Sequence, residues 1–96
     1  MRVFRIPGYV SWYPLNDSIV VLDLTSNQRH VLKGAAVDLW RSLGRDDGAT
    51  SRELTQSLVS RYSIDRGVAA RDVVRLLKDL VGRRLLYACS IDPPAC

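Results

Sequence analysis

Cysteine is nearly absent from the 96-residue chain: there are two, Cys89 and Cys96, both within the last eight residues. A disulfide there would close a small loop at one end and leave the body of the chain unstapled. A disulfide-framework protein is therefore excluded, and free thiols in a reducing compartment are expected. Histidine is scarcer still, with His30 alone. One histidine and two distant cysteines match no metal-ligand spacing, and neither thiol has a histidine nearby in sequence to activate it. No metal, no cofactor and no catalytic residue is expected. Long apolar runs are missing as well. The stretch at residues 19–22 is only four residues long, against about 20 for a membrane span. The basic opening Met1-Arg2-Val3-Phe4-Arg5 is not followed by an apolar segment of signal-peptide length. These features predict a cytoplasmic protein with no membrane partner.

What is present suffices for one folded domain. Hydrophobic residues make up 47% of the chain, too many for a disordered segment and enough for one modest core. The net charge of +4 comes from 12 arginines and 2 lysines against 10 acids. It permits a nucleic-acid or acidic-peptide partner without requiring one.

The pattern changes character near residue 33. Residues 8–13 are rich in strand formers (Tyr9, Val10, Trp12, Tyr13), and Pro14 with Asn16-Asp17 punctuates them. Residues 18–24 are mostly β-branched and apolar; Thr25-Ser26-Asn27 reads as a turn, and Gln28–Leu32 as a third strand. Short connections favour an antiparallel meander. After residue 33 the period is helical. Ala35, Ala36, Leu39, Trp40 and Leu43 share one face of a first helix, with Trp40 assigned to the core, and the loop 44–48 ends it. Thr50-Ser51-Arg52-Glu53 is a capping box opening a second helix, with Leu54, Leu58, Val59 and Tyr62 inward. Asp65 caps a third helix running to about Val81. The expected fold class is α+β: a winged-helix-like domain, a three-stranded antiparallel sheet followed by three helices. The domain spans residues 1–88, with a flexible tail over 89–96.

At 100° per residue the third helix carries two apolar stripes, Ala69, Val73, Leu76, Leu80 and Ala70, Val74, Leu77, Val81. Together they exceed the arc that one packed face needs. Three readings stand: the helix is central and fully covered, one stripe floors a groove beside the sheet, or one stripe makes a homodimer contact. The third strand has a matching property. It is an edge of the meander, and bare edges are usually blocked. Gln28, Arg29, His30, Val31 and Leu32 bring charge but no proline. An edge beside an apolar groove can receive an extended peptide as an added strand. The candidate peptide-binding residues are those five, with Val73, Leu76 and Leu80 as groove floor and Asp72 and Asp79 at its rim; the second stripe is the alternative floor. For the two aspartates the default role is pairing with Arg75 and Arg83 on a solvated face.

The run Val31-Leu32-Lys33-Gly34-Ala35-Ala36-Val37-Asp38-Leu39-Trp40 resembles the strand-to-helix signature of PqqD-like proteins. Asp72-Val73, Leu76-Leu77, Leu80 and Leu85-Leu86 resemble the closing helix of that family, and Val20-Val21-Leu22-Asp23-Leu24 its second strand. The similarity covers about residues 8–87 and is strongest to the stand-alone recognition element of lasso-peptide biosynthesis. The resemblance implies that the leader of a ribosomally made precursor peptide adds as a strand beside the third strand and against the third helix. It implies delivery to a transglutaminase-like leader peptidase and an asparagine-synthetase-like cyclase, with no chemistry by the binding protein itself. Two positions depart from the pattern. Lys33 stands where the family has Asn, which removes a helix cap. Arg84 stands where the family often has Gly before the final Leu-Leu, with Gly82 two residues earlier, so a shifted end of the third helix is expected.

Two rival functions remain. Three helices, a small sheet and positive charge invite a winged-helix DNA binder. Against it, the strands precede the helices, and Asp72 and Asp79 on the exposed arc of the third helix oppose phosphate contact. The other rival is a dimerisation module built on the wide third helix.

Overall fold

The computed structural model describes residues 2–45 and 48–90. Strands β1 (Arg2–Arg5), β2 (Val10–Leu15), β3 (Ser18–Asp23) and β4 (Gln28–Leu32) come first. β2, β3 and β4 form the expected antiparallel meander, in that order. Local side-chain chemistry makes its two turns. Asn16 adopts φ 57° between β2 and β3, a left-handed conformation that asparagine tolerates. At the second turn the buried Asp23 carboxylate accepts hydrogen bonds from the Thr25 hydroxyl (2.6 Å), the Thr25 amide (2.9 Å) and the Ser26 amide (3.3 Å). The Thr25 hydroxyl, more than any other group, holds the Asp23 carboxyl below the usual carboxylate range; burial opposes the effect. Pro14 lies inside β2 opposite Ile19 rather than ending the strand.

Helices α1 (Ala35–Arg45), α2 (Ser51–Tyr62) and α3 (Arg66–Gly82) follow. Trp40 is completely buried, and Trp12 of β2 meets it edge-on, with ring centroids 6.5 Å apart. Gly44 makes that approach possible, because a Cβ there would stand 2.8 Å from the Trp12 ring. The capping box forms in both directions: the Glu53 amide donates to Thr50 Oγ1 (3.1 Å), and the Thr50 amide to Glu53 Oε1 (2.9 Å). Tyr62 departs from its expected inward position and is 45% exposed. Its hydroxyl bonds the Asp38 carboxylate, which raises the pKa of the phenol, and Arg61 holds the same carboxylate at 2.9 Å.

Asp65 caps α3 through the amides of Gly67 and Val68. At the other end, the Leu85 amide donates to Leu80 O and the Arg84 amide to Val81 O. This is a Schellman cap with Arg84 at the left-handed position, φ 64°. The expected shift of the helix end does not occur: arginine takes the conformation that glycine would adopt freely. Arg84→Gly is therefore expected to stabilise the fold by about 0.5–1 kcal/mol, the strain relieved less the extra chain entropy of glycine. A rise of a few degrees in thermal midpoint checks this.

A second, two-stranded sheet was not legible in the sequence. β1 pairs antiparallel with β5 (Tyr87–Ser90), and Phe4 also bridges Ala49. The expected tail boundary at 89 is thereby corrected, since Cys89 and Ser90 belong to a strand; residues 91–96 lie outside the described residues. Cys89 is 6% exposed and disulfide-bonded, which corrects the expected free thiol. Cys96 lies outside the described residues. Among the described residues no helix is long and apolar enough to cross a membrane, and no cluster could hold a metal ion.

Candidate functional site

The hydrogen-bond phase of the meander decides what its edges offer. The Leu24 amide donates to Tyr9 O at 2.9 Å. Hydrogen-bonded and non-bonded pairs alternate along an antiparallel ladder. The register then makes Ser11–Leu22, Tyr13–Val20 and Leu15–Ser18 the bonded pairs of β2 and β3. Ile19, Val21 and Asp23 consequently turn their backbone groups toward Leu32, His30 and Gln28 of β4. The N–H and C=O groups of Arg29 and Val31 point away from the sheet, into the open edge.

The opposite edge is blunted. Val10, Trp12 and Pro14 face outward there. Proline has no donor, and the Val10 amide is already bound to Pro7 O at 3.1 Å. β4 is the better template for an added strand.

Side chains alternate along β4. Gln28, His30 and Leu32 share the core-side face, where Leu32 is buried, His30 half-buried and Gln28 exposed; Arg29 and Val31 lie exposed on the outer face. The C-terminal end of α3 reaches this edge. Arg83 donates to His30 Nδ1 at 3.5 Å and pairs with Asp79 at 3.2 Å, joining β4 to the end of α3. A guanidinium can only donate, so Nδ1 is the acceptor in this contact. His30 Nε2 is buried without a hydrogen-bond partner among the described residues. Asp72 pairs with Arg75 at 3.4 Å. Both aspartates thus adopt the default pairing, and Asp79 is linked to β4 through Arg83.

The floor expected from sequence is corrected in part. Val73 and Leu80 are 0% and 1% exposed, packed in the core, so neither presents surface to a peptide. The core stripe of α3 is Ala69, Val73, Leu77 and Leu80, drawn from both sequence stripes. Leu76 is only partly buried against the core and keeps exposed surface. Val74 and Val81, 45% and 38% exposed, lie roughly half a turn around the helix from Leu76 and Asp79.

A profile of the PqqD family, described as coenzyme PQQ synthesis protein D, matches residues 18–86. The chain belongs to the PqqD family. Two solved structures share its fold. One is TbiB1 in complex with the TbiA(beta) leader peptide, 24% identical, with a TM-score of 0.80 over 86% of this chain and 94% of that one. The other is a lasso peptide synthetase B1 complexed with the leader peptide, also 24% identical, with a TM-score of 0.76 over 88% of this chain and 96% of that one. No curated protein matches. In this PqqD-family chain, sequence reading placed Arg83 on the solvated arc and missed its contact with His30. That contact spans 53 positions, and no local spacing signals it.

Proposed function

We propose that this chain binds the leader of a ribosomally made precursor peptide as a strand added to β4, in lasso-peptide biosynthesis. It hands the bound precursor to a transglutaminase-like leader peptidase and an asparagine-synthetase-like cyclase, and does no chemistry itself. The observation that carries this reading is the outward direction of the Arg29 and Val31 backbone groups beside α3, while Pro14 blunts the other edge. Family membership supports it, as do leader peptides in both structures of similar fold.

Magnitudes divide affinity from specificity. Two outward N–H and two outward C=O groups give at most four main-chain hydrogen bonds, each worth about 0.5–1.5 kcal/mol net. Their sum falls short of the ~8 kcal/mol that micromolar binding needs, before any cost of association. Side-chain contacts must supply the remainder. On the α3 side of an added strand these come from Leu76, the half-buried His30, and the rim of Asp72 and Asp79. Leu32, Val73 and Leu80 support that floor from within the core.

Calorimetric titration with the leader encoded by a neighbouring short reading frame tests the reading. One-to-one binding at micromolar affinity or better is expected, and none with a scrambled leader of the same composition. Equal affinity for both peptides would remove the proposed function.

A further inference from the structure

The exposed residues of the second stripe of α3, Val74 and Val81, face a groove of their own. Phe4 of β1, Ala88 of β5 and Val74, Leu77 and Val81 of α3 line a cavity of about 430 Å³. A second cavity of about 350 Å³ adjoins it, sharing Arg2, Phe4 and Ser51 and reaching Arg52. The two form one trench with an apolar floor. Its charged side chains are all cations, Arg2, Arg52 and Lys78, all exposed. Among the described residues none of the three forms an ion pair, whereas Asp72 and Asp79, on the far side of α3, are matched by Arg75 and Arg83. An apolar floor under unneutralised positive charge complements a segment carrying apolar anchors and carboxylates.

We infer that this trench docks an acidic, apolar-bearing segment of the enzyme that receives the bound precursor. The inference rests on the leader-binding reading and adds the second surface that delivery requires. The trench lies about half a turn around α3 from the β4 cleft, so the leader and the enzyme occupy opposite flanks of one helix together. Rigid α3 fixes the distance between them.

The test uses the full chain loaded with leader and the purified leader peptidase encoded beside it. Val74→Asp and Lys78→Glu each change an exposed side chain outside the β4 cleft. Each is expected to weaken peptidase binding about tenfold or more, with leader affinity within about twofold of wild type and an unchanged thermal midpoint. Added salt is expected to weaken the wild-type complex more than the Lys78→Glu complex. Unchanged peptidase affinity in both variants, or no peptidase binding by the wild type, would overturn the inference and leave leader binding at β4 intact. Loss of leader affinity in Val74→Asp would place the leader in the trench, overturning both readings. Sedimentation of the chain alone is expected to show a monomer; a dimer dispersed by Val74→Asp would assign the trench to a second copy instead.

Discussion

Val31→Pro is expected to lower leader affinity about a hundredfold or more while leaving the fold in place. The Val31 amide points out of the sheet, so proline removes no bond to β3. It deletes one of only two outward donors, and its ring projects into the space of an added strand. The loss therefore exceeds one hydrogen bond, because the incoming backbone is also pushed out of register. Val31 is 51% exposed, so little core packing changes. His30→Pro, one residue away, is the internal control. Its amide belongs to the β3 ladder, and the substitution is expected to lower the thermal midpoint by removing that ladder bond. Titration paired with thermal melts separates the two outcomes. Unchanged leader affinity in a folded Val31→Pro protein would show that β4 is not the docking edge.

The second large effect divides α3 along its length. Val73→Asp is expected to unfold the protein. Val73 is fully buried, and an unpaired carboxylate there costs several kcal/mol, comparable with the whole stability of a small domain. Leu76→Asp, three positions on, is expected to fold with a lowered midpoint, because Leu76 is only partly buried. Leader binding is expected to fall about tenfold or more, since the variant puts a charge into the apolar part of the cleft between Asp72 and Asp79. Circular dichroism and leader titration of both variants check the division. A folded Val73→Asp protein, or full leader affinity in Leu76→Asp, would contradict the assignment of the stripes.

Much of this was legible from sequence because the signals are local. The turn at Thr25-Ser26-Asn27, the capping box at Thr50 and Glu53, and the Asp65 cap each depend on side chains bonding backbone within a few residues. The burial of Trp40 follows from the period of its own helix. What failed depends on distant partners. β1 and β5 are four residues each and pair the two ends of the described chain, which no local pattern announces. The split of α3 failed for a related reason. A helical wheel gives angles but not neighbours: packing against α2 and the common core drew Leu77 inward with Val73 and Leu80, and left Val74 and Val81 outside. Arg84 shows the opposite case. Its departure from glycine was visible in sequence, yet the cap geometry persists, because an arginine at positive φ costs only about 1–2 kcal/mol against a motif that satisfies two carbonyls.

Backbone amide hydrogen exchange with and without leader reaches the central claim most directly, because it reads the edge bonds themselves. The account predicts that leader binding slows exchange at Arg29 and Val31, whose amides face solvent in the free chain. His30 and Leu32, already bonded to β3, are expected to change far less, and Trp12 on the opposite edge not at all. Leader-induced protection at Trp12 or along the Val74–Val81 flank, with Arg29 and Val31 still exchanging freely, would contradict strand addition at β4.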